Sequence, residues 1–263
     1  MQYNPQFLSA REILAPDVKA HLNALDNRYP LGKFLESTRS YDEMRVDFVY
    51  TSGKIEGNTY SRLDTDCLIK MGQTAGGKKF SDAVMLMNLR DGFDIALTAQ
   101  KTAIDVDYVC SLHKILMAGL LPSHEQGLAR SSGVRIAGTR YQPPSNPGRL
   151  MGELKFIMDQ AGQYADPFER GIYLHCNLAY LQYFADGNKR TARMVQTAAM
   201  AQGGVTPLFF HDALIRDYIE SVIHYYETGS YERYAKFFIA NHELVIDELT
   251  QDNDDKIDWV PRM

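Results

Sequence analysis

The most informative part of the chain is the stretch Gln182-Tyr-Phe-Ala-Asp-Gly-Asn-Lys-Arg-Thr-Ala-Arg193. Asp186-Gly-Asn188 is a turn sequence that ends one helix, and the next helix begins with free backbone N–H groups and a partial positive charge. Arg190 and Arg193 are three residues apart, so both guanidinium groups project from one face of the first helical turn. Lys189 adds a third cation. The pattern indicates an anion site where two helices meet.

A carboxylate stands beside these cations. Asp186 is a hard oxygen ligand, suited to a magnesium ion that bridges phosphates, so the residues together suggest a polyphosphate–Mg²⁺ site. The same residues also fit a solvated basic helix start that Asp186 merely caps, because short motifs match by chance. Residue types and spacing leave both interpretations open.

Apolar residues at helical spacing predict helices on both sides of this stretch and over most of the chain. The predicted ranges are 40–50, 81–100, 105–117 with Asp105 as its cap, 168–184, from just after Asn188 to about 201, 212–226 and 231–249. Residues 133–141 instead alternate in two short runs around Ala137-Gly138, which predicts a small β-hairpin. The predicted fold class is therefore all-α with one β-hairpin.

Composition limits the classes of protein that the chain can represent. Its 263 residues are 45% hydrophobic and 23% charged, with a formal net charge of −5, which suits one large domain. The three cysteines form no CxxC pair, which argues against disulfides and for a reducing, cytoplasmic setting. Mild acidity offers no footprint for nucleic acid. Because no apolar run reaches ~20 residues and the start lacks signal-peptide features, we expect no membrane contact.

The stretch at 182–193 resembles the signature of the Fic family (Fic/Doc, or Fido), usually written HxFx[DE]GNGRxxR. The positions that match it are Phe184, Asp186, Gly187, Asn188, Arg190 and Arg193. Upstream, Ser52-Gly-Lys-Ile-Glu-Gly57 fits the family's inhibitory motif, [ST]xxxE[GN], and the predicted hairpin is similar to its flap. The resemblance divides the chain into an N-terminal helical extension (1–39), a Fic domain with inhibitory helix and flap (40–249) and an acidic tail (250–263).

Members of this family mostly transfer AMP from ATP to a hydroxyl side chain of a target protein, with Mg²⁺. The resemblance implies that Asp186 binds the metal, that Arg190 supports the α/β-phosphates and that Arg193 holds the γ-phosphate. Further nucleotide contacts are implied for Gly187, Asn188 and Lys189. The resemblance also implies an ion pair between Glu56 and Arg193, in which the carboxylate takes the place of the γ-phosphate and ATP binds unproductively.

Expectations about partners follow from the same resemblance. A flap of this kind holds a segment of the target protein by adding it as a strand, which uses main-chain hydrogen bonds. The flap positions implied here are Val134, Arg135, Ile136 and Thr139. Some family members form homodimers and others pair with small antitoxins. Because Glu56 belongs to this chain, we expect no separate inhibitor.

Two positions depart from the family signature. Gln182 stands where the signature has the histidine that takes the proton of the attacking hydroxyl, and a glutamine amide cannot accept that proton. Loss of a positioned general base typically costs about 10²–10⁴ in rate. His175, two turns earlier on the same predicted helix, is too far away to replace it. Lys189 stands where the signature has its second glycine, as in the Doc branch, whose members transfer a phosphate instead of AMP.

Three functions are therefore open. The first is an adenylyltransferase that Glu56 inhibits and whose catalysis Gln182 impairs. The second, which the loss of the base favours, is a non-catalytic regulatory protein that binds ATP or ADP. The third, a Doc-like phosphotransferase, is suggested by Lys189 but not by Gly187, which is the residue of the AMP-transferring branch. All three place a nucleotide at the junction of the two helices.

Overall fold

Residues 1–254 are described by a computed structural model, and helices account for most of them. Within this range the α-helices are α1 (Pro16–Asp26), α2 (Leu31–Glu36), α3 (Thr38–Ile55), α4 (Arg62–Met71), α5 (Phe80–Thr98), α6 (Val106–Leu116), α7 (Pro147–Ala161), α8 (Pro167–Leu181), α9 (Asn188–Gln202), α10 (Ile215–Thr228) and α11 (Glu232–Asp254). Short 3-10 helices lie at Pro5–Leu8, Ala99–Lys101 and Asp212–Leu214. The predicted all-α class is confirmed.

The centre of the fold is the pair α8 and α9, which make the most extensive contact among the described helices. Nearly every side chain of both helices is buried, as expected for helices that neighbours surround on all sides. Helices α5 and α6 pack against α9, while α7 and α10 pack against α8. The connection between α8 and α9 is therefore held from several sides, and it leads directly into the basic cluster at the start of α9, Lys189, Arg190 and Arg193.

Helix α3 brings a distant part of the chain to the same place. Ser37 caps its first turn by accepting a hydrogen bond from the Ser40 amide. The helix packs on α5 through buried rings, and the centroids of Phe48 and Phe93 lie 4.8 Å apart. Its last turn lies beside α9, because the Ser52 carbonyl is within 3.2 Å of the Arg193 guanidinium. This packing positions residues 52–57, the segment that matches the inhibitory motif.

The seven predicted helices are confirmed, with small shifts at their ends. Asp105 caps α6 as predicted, since its carboxylate accepts a hydrogen bond from the Tyr108 amide. Helix α8 ends at Leu181 rather than at residue 184, because Gln182 adopts a left-handed conformation. No individual prediction covers α1, α2, α4 or α7. Among these, α7 carries the ordinary signals of a helix start, a capping asparagine followed by a proline.

The predicted β-hairpin at 133–141 is wrong, because its two arms form no ladder. The segment turns at Ala137-Gly138 but has no strand on either side. Instead, the chain that follows the second arm pairs with the N-terminal residues. The Gln142 amide donates to the Met1 carbonyl at 2.9 Å, and Gln2 forms an isolated parallel bridge with Gln142. A lone hairpin is marginally stable in water, so contacts with the rest of the fold replace its pairing. Residues 133–141 are called the flap segment below.

The last helix continues beyond its predicted end at residue 249, to Asp254. It therefore takes up the first residues of the predicted acidic tail (250–263), and residues 255–263 of that tail lie outside the described part of the chain. None of the helices in residues 1–254 combines the length and the apolar character needed to cross a bilayer.

Candidate functional site

The connection between α8 and α9 contains two residues with left-handed backbone conformation. Gln182 follows α8 at φ 50° and is the one non-glycine residue with positive φ within residues 1–254. Gly187 precedes α9 at φ 75°. A Cβ at Gly187 would lie 2.5 Å from the sulfur of Met117, the residue after α6, so both the left-handed backbone and this close approach favour glycine here. The signature glycine thus has a structural reason.

Asn188 closes this connection with its side chain. Its Oδ1 accepts a hydrogen bond from the Phe184 amide, and its Nδ2 donates to the Phe184 carbonyl, both at 2.9 Å. Nδ2 also lies 3.3 Å from Oε1 of Gln182. The carboxamide is thus used within the protein, where it fixes the shape of the turn. The backbone N–H of Asn188 belongs to the first turn of α9, whose amides have no partner within the helix.

His113 holds the same connection from α6. Its Nδ1 accepts a hydrogen bond from the Gly127 amide at 2.8 Å, so Nε2 carries the proton and donates to the Asp186 carbonyl at 3.0 Å. The ring stacks on Phe184, with centroids 3.6 Å apart. Burial lowers the pKa of His113 to about 4, so the ring is neutral at pH 7. His113 is therefore a positioning residue that keeps Asp186 in place.

The Gln182 side chain is hydrogen-bonded inside the protein. Its Nε2 donates to the Ala179 carbonyl at 2.7 Å, and its Oε1 faces the Asn188 carboxamide. The backbone carbonyl of Gln182 accepts a hydrogen bond from Nε of Arg130 at 2.6 Å. The side chain can still contact a hydroxyl group, but it has no basic nitrogen that could take the proton.

Arg193 is buried and bound on two sides. Its Nη2 donates to Oε1 of Glu56 at 3.0 Å and lies 3.2 Å from the Ser52 carbonyl, while Nη1 donates to the Tyr218 hydroxyl at 3.2 Å. Burial alone would lower the pKa of this guanidinium, but Tyr218 and Glu56 raise it. The structure thus brings together Glu56 and Arg193, which are 137 positions apart in the chain.

Glu56 is oriented by the way in which α3 ends. Gly57 is left-handed at φ 82°. Its amide donates to the Lys54 carbonyl and the Asn58 amide donates to the Gly53 carbonyl, both at 3.0 Å. These two bonds define a Schellman motif, whose left-handed position favours glycine or asparagine. The alternative [GN] in the inhibitory motif therefore follows from backbone conformation, and it places Glu56 at the helix end.

Three cations surround the Glu56 carboxylate. Burial alone would raise its pKa, but Arg193, Lys189 and Arg190 together lower the pKa below its usual range. Nζ of Lys189 lies 3.8 Å from the same Oε1 that Arg193 binds. Glu56 is therefore ionised at neutral pH and neutralises part of the basic cluster.

Arg190 has hydrogen-bond donors without a partner. Its Nη2 pairs with Oδ2 of Asp186 at 3.0 Å, but Nε and Nη1 are buried and meet no acceptor within residues 1–254. Leaving buried guanidinium donors unpaired is costly, so the arrangement fits a further acceptor such as a phosphate oxygen. The side chain of Asp186 is 60% exposed, and its Oδ1 accepts a hydrogen bond from the Gly187 amide at 2.6 Å. A carboxylate and a cation thus share one edge of the connection.

A cavity of about 210 Å³ lies between this connection, the end of α3 and the flap segment. Its lining residues are Glu56, Val134, Arg135, Ile136, Ala137, Gln182, Ala185, Asp186, Gly187, Asn188 and Lys189. Arg190 and Arg193 are buried and do not belong to this lining. Thr139 also lies outside it, and its hydroxyl donates to Glu227 of α10 at 2.8 Å. The structure therefore brings most of the predicted site residues to one cavity.

Comparison with known proteins agrees with this arrangement. Residues 103–200, from α6 to the last turn of α9, match the sequence model of the Fic/DOC family. The chain therefore contains a Fic/DOC domain. This Fic/DOC protein is 26% identical over 242 residues to the protein adenylyltransferase fic-1 of Caenorhabditis elegans, which covers 88% of the chain and 45% of the relative. It is 23% identical over 217 residues to the protein adenylyltransferase Fic of Nematostella vectensis, covering 81% and 50%. The chain thus spans about half the length of these relatives.

Solved structures show the same fold. A fragment of Fic-1 from C. elegans superposes with a TM-score of 0.76 at 21% identity, over 91% of the chain and 73% of the fragment. A Fic domain containing signaling protein from Bacteroides thetaiotaomicron gives a TM-score of 0.74 at 15% identity, over 89% and 97%. The helical arrangement around α8 and α9 is therefore that of other Fic domains.

The sequence motifs of this Fic/DOC protein did not reveal three groups that hold its site. Tyr218 and the Ser52 carbonyl bind Arg193, and Arg130 binds the Gln182 carbonyl. The one available signal is that Arg193 lies on a helix whose residues are nearly all buried. A buried cation needs hydrogen-bond acceptors, so acceptors must lie nearby. The sequence does not indicate which residues supply them, since all three contacts join distant parts of the chain.

Proposed function

We propose that this Fic/DOC protein transfers AMP from ATP to a hydroxyl group of a target protein and that Glu56 holds it inactive. The observation that carries the proposal is the pairing of Glu56 with Arg193 beside Arg190, whose Nε and Nη1 lack an acceptor among residues 1–254. A guanidinium that pairs with a carboxylate also fits a phosphate. The relatives are named protein adenylyltransferases, which supports the same activity.

The charges around the cavity suit a triphosphate. Lys189, Arg190 and Arg193 supply three cations at the start of α9, where the helix end adds a partial positive charge. Glu56 is hydrogen-bonded to Arg193, so ATP has to displace this carboxylate before Arg193 can hold the γ-phosphate. Until then, the nucleotide binds in a pose that does not support transfer.

The donor set fits a magnesium ion held together with the nucleotide. Asp186 offers an exposed carboxylate, and no cluster of three or more His, Cys, Asp or Glu side chains able to hold a metal occurs in residues 1–254. Magnesium is commonly bound by one or two carboxylates together with substrate phosphates, which this site allows. When bound, the ion would neutralise charge on the phosphates.

Gln182 limits the transfer step. In that step the target hydroxyl oxygen forms a bond to the α-phosphorus, the bond from the α-phosphorus to the bridging oxygen breaks, and pyrophosphate leaves. The hydroxyl proton must pass to a base, which in this site, without the signature histidine, is solvent water. Gln182 lines the cavity and can orient the hydroxyl, but it cannot take the proton. We therefore expect transfer to be slower by about 10²–10⁴ than with a histidine at this position.

The flap segment is proposed to hold the target. Val134, Arg135 and Ile136 line the cavity, and this part of the flap segment pairs with no strand among the described residues. Unpaired backbone beside a site can accept an added strand. Thr139 would act by anchoring the segment to α10 through Glu227 rather than by touching the target. A cytoplasmic location and a homodimer stay predictions.

The loss of the base favours a second candidate, a regulatory protein that binds ATP or ADP without transferring AMP. Neither buried histidine near the site can substitute for it. His113 donates its one proton to the Asp186 carbonyl. His175 is fully buried against Tyr218, and burial and Arg193 lower its pKa well below the usual value.

Labelled nucleotide distinguishes these functions. The protein and its Glu56→Gly, Gln182→His and doubly substituted variants are incubated with a cell extract and with ATP labelled at the α- or γ-phosphate. We expect α-label on protein, weakest in the unmodified chain and strongest in the double variant. Label from the γ-phosphate alone would indicate phosphate transfer. ATP binding without transfer, even in the double variant, would support the regulatory role, and no ATP binding in any variant would overturn both candidates.

A further inference from the structure

Lys189 contacts Glu56, although the family signature has glycine at this position. Its Nζ lies 3.8 Å from Oε1 of Glu56, the oxygen that accepts the hydrogen bond from Arg193. We propose that Lys189 is a second cationic partner that holds the inhibitory carboxylate in the closed position. The proposal extends the proposed function, because it assigns to Lys189 part of the control that the motif places on Arg193 alone.

The geometry of α9 makes this contact possible. Lys189 and Arg193 are four residues apart, so their side chains emerge from the same face of the helix. That face meets the end of α3, where the Schellman motif places Glu56. A glycine at position 189 would remove this contact and leave Arg193 as the cation hydrogen-bonded to the carboxylate.

The two cations differ in their surroundings. The side chain of Arg193 is 1% exposed and hydrogen-bonded to Glu56, whereas that of Lys189 is 35% exposed and lies beyond hydrogen-bond distance. The lysine therefore acts by charge, and solvent screens part of the attraction. Ion pairs of this kind change an equilibrium by about two- to fivefold. Lys189 should accordingly adjust how often Glu56 leaves, while Arg193 determines where it binds.

Lys189 also lines the cavity. Once Glu56 leaves, the same ammonium group is free to face the phosphates of a bound nucleotide. After Glu56 leaves, both Lys189 and Arg193, rather than Arg193 alone, would therefore contact the triphosphate instead of the carboxylate. Contact of Lys189 with phosphate raises the ATP affinity, whereas its contact with Glu56 lowers it. The ATP affinity of a single Lys189 variant therefore cannot separate the two effects.

Amide hydrogen exchange tests the contact without nucleotide or activity. In Lys189→Met, we expect peptides covering residues 50–60 to exchange about two- to fivefold faster than in the unmodified chain, because the end of α3 opens more often. Lys189→Arg keeps the charge and should exchange like the unmodified chain. The same measurements are made in a Glu56→Gln background, which removes the charge of the carboxylate. There, Lys189→Met should have no effect.

Lys54→Met is the matched control. Lys54 lies on the last turn of α3 but pairs with Asp212 at 2.7 Å, not with Glu56. Its replacement should speed exchange equally whether Glu56 is present or replaced, whereas the effect of Lys189→Met should vanish in the Glu56→Gln background. The proposal is overturned if Lys189→Met leaves the exchange of residues 50–60 unchanged, or if its effect is the same in both backgrounds.

ATP affinity, measured by calorimetry, supplies a second reading. In the Glu56→Gln background, Lys189→Met removes only a phosphate contact and should weaken ATP binding. With Glu56 present, Lys189→Met should reduce the ATP affinity by a factor that is about two- to fivefold smaller, because the substitution also weakens the binding of the competing carboxylate. An equal loss in both backgrounds would contradict the proposal. If no variant binds ATP, the proposed function fails, while the exchange experiment still decides the role of Lys189.

Discussion

The left-handed glycine at the end of α3 allows a direct test of how Glu56 is oriented. Gly57 has φ 82°, and a Cβ added there would meet no atom within 4 Å. Gly57→Ala therefore adds backbone strain without a steric clash. A left-handed conformation costs a residue with an L side chain about 1–2 kcal/mol. The chain can relieve that cost by opening the last turn of α3, which removes Glu56 from Arg193.

We expect Gly57→Ala to increase the open population of this turn by about 5- to 30-fold, the equilibrium change that corresponds to 1–2 kcal/mol. Amide exchange of peptides covering residues 50–60 measures it, because the Gly57 and Asn58 amides donate the two hydrogen bonds that must break. Peptides from the buried helices α8 and α9 provide an internal reference and should exchange as in the unmodified chain.

Gly57→Asn is the matched substitution. Asparagine places a larger side chain in the same open space, but it tolerates the left-handed conformation better than alanine. In Gly57→Asn, the amides of residues 50–60 should therefore exchange much more slowly than in Gly57→Ala. If alanine and asparagine accelerate exchange to the same extent, or if neither does, backbone strain is not what positions Glu56. Faster exchange throughout the alanine variant would likewise count against a local effect.

Three further substitutions test how the site is supported. Gly187→Ala should destabilise the fold by at least about 2 kcal/mol in urea titrations, because its Cβ would lie 2.5 Å from the Met117 sulfur in a left-handed turn; an unchanged midpoint would contradict this. Tyr218→Phe leaves one buried N–H of Arg193 without its acceptor and should cost about 1–3 kcal/mol, seen as a lower Tm. Burial lowers the folded-state pKa of His113 to about 4, so this residue contributes about 3 kcal/mol to the free energy of unfolding above pH 6.5. That contribution is lost as the pH falls toward 4. Urea titrations of His113→Gln should therefore show a smaller loss of stability between pH 6.5 and 4 than the unmodified chain.

Much of the helical framework could be predicted because its signals are local. The Asp105 cap and the glycine before α9 act through residues within one turn, and both are present in the structure. The hairpin prediction failed because pairing depends on distant partners. Nothing in residues 133–141 indicates that the chain after them bonds to Met1 and Gln2.

In the candidate site, too, features with local signals could be predicted and features that depend on distant partners could not. The motif located the start of α9 as a candidate anion site, because backbone amides and spaced arginines follow directly from the sequence. It could not indicate that the Asn188 side chain is used to close the turn, or that Tyr218 supplies an acceptor to Arg193. These roles depend on which helices meet, and that is decided by packing of the whole fold.

The covalent connection between α3 and α9 has a consequence for how the protein responds to its surroundings. Because the acidic group and its binding site belong to one polymer, the local concentration of that group is at least on the order of millimolar and does not change on dilution. Closure is therefore a first-order process, equally complete at low and high copy number. Dilution therefore leaves the fraction of open protein unchanged, whereas a competing molecule or a shift in the packing of α3 changes it.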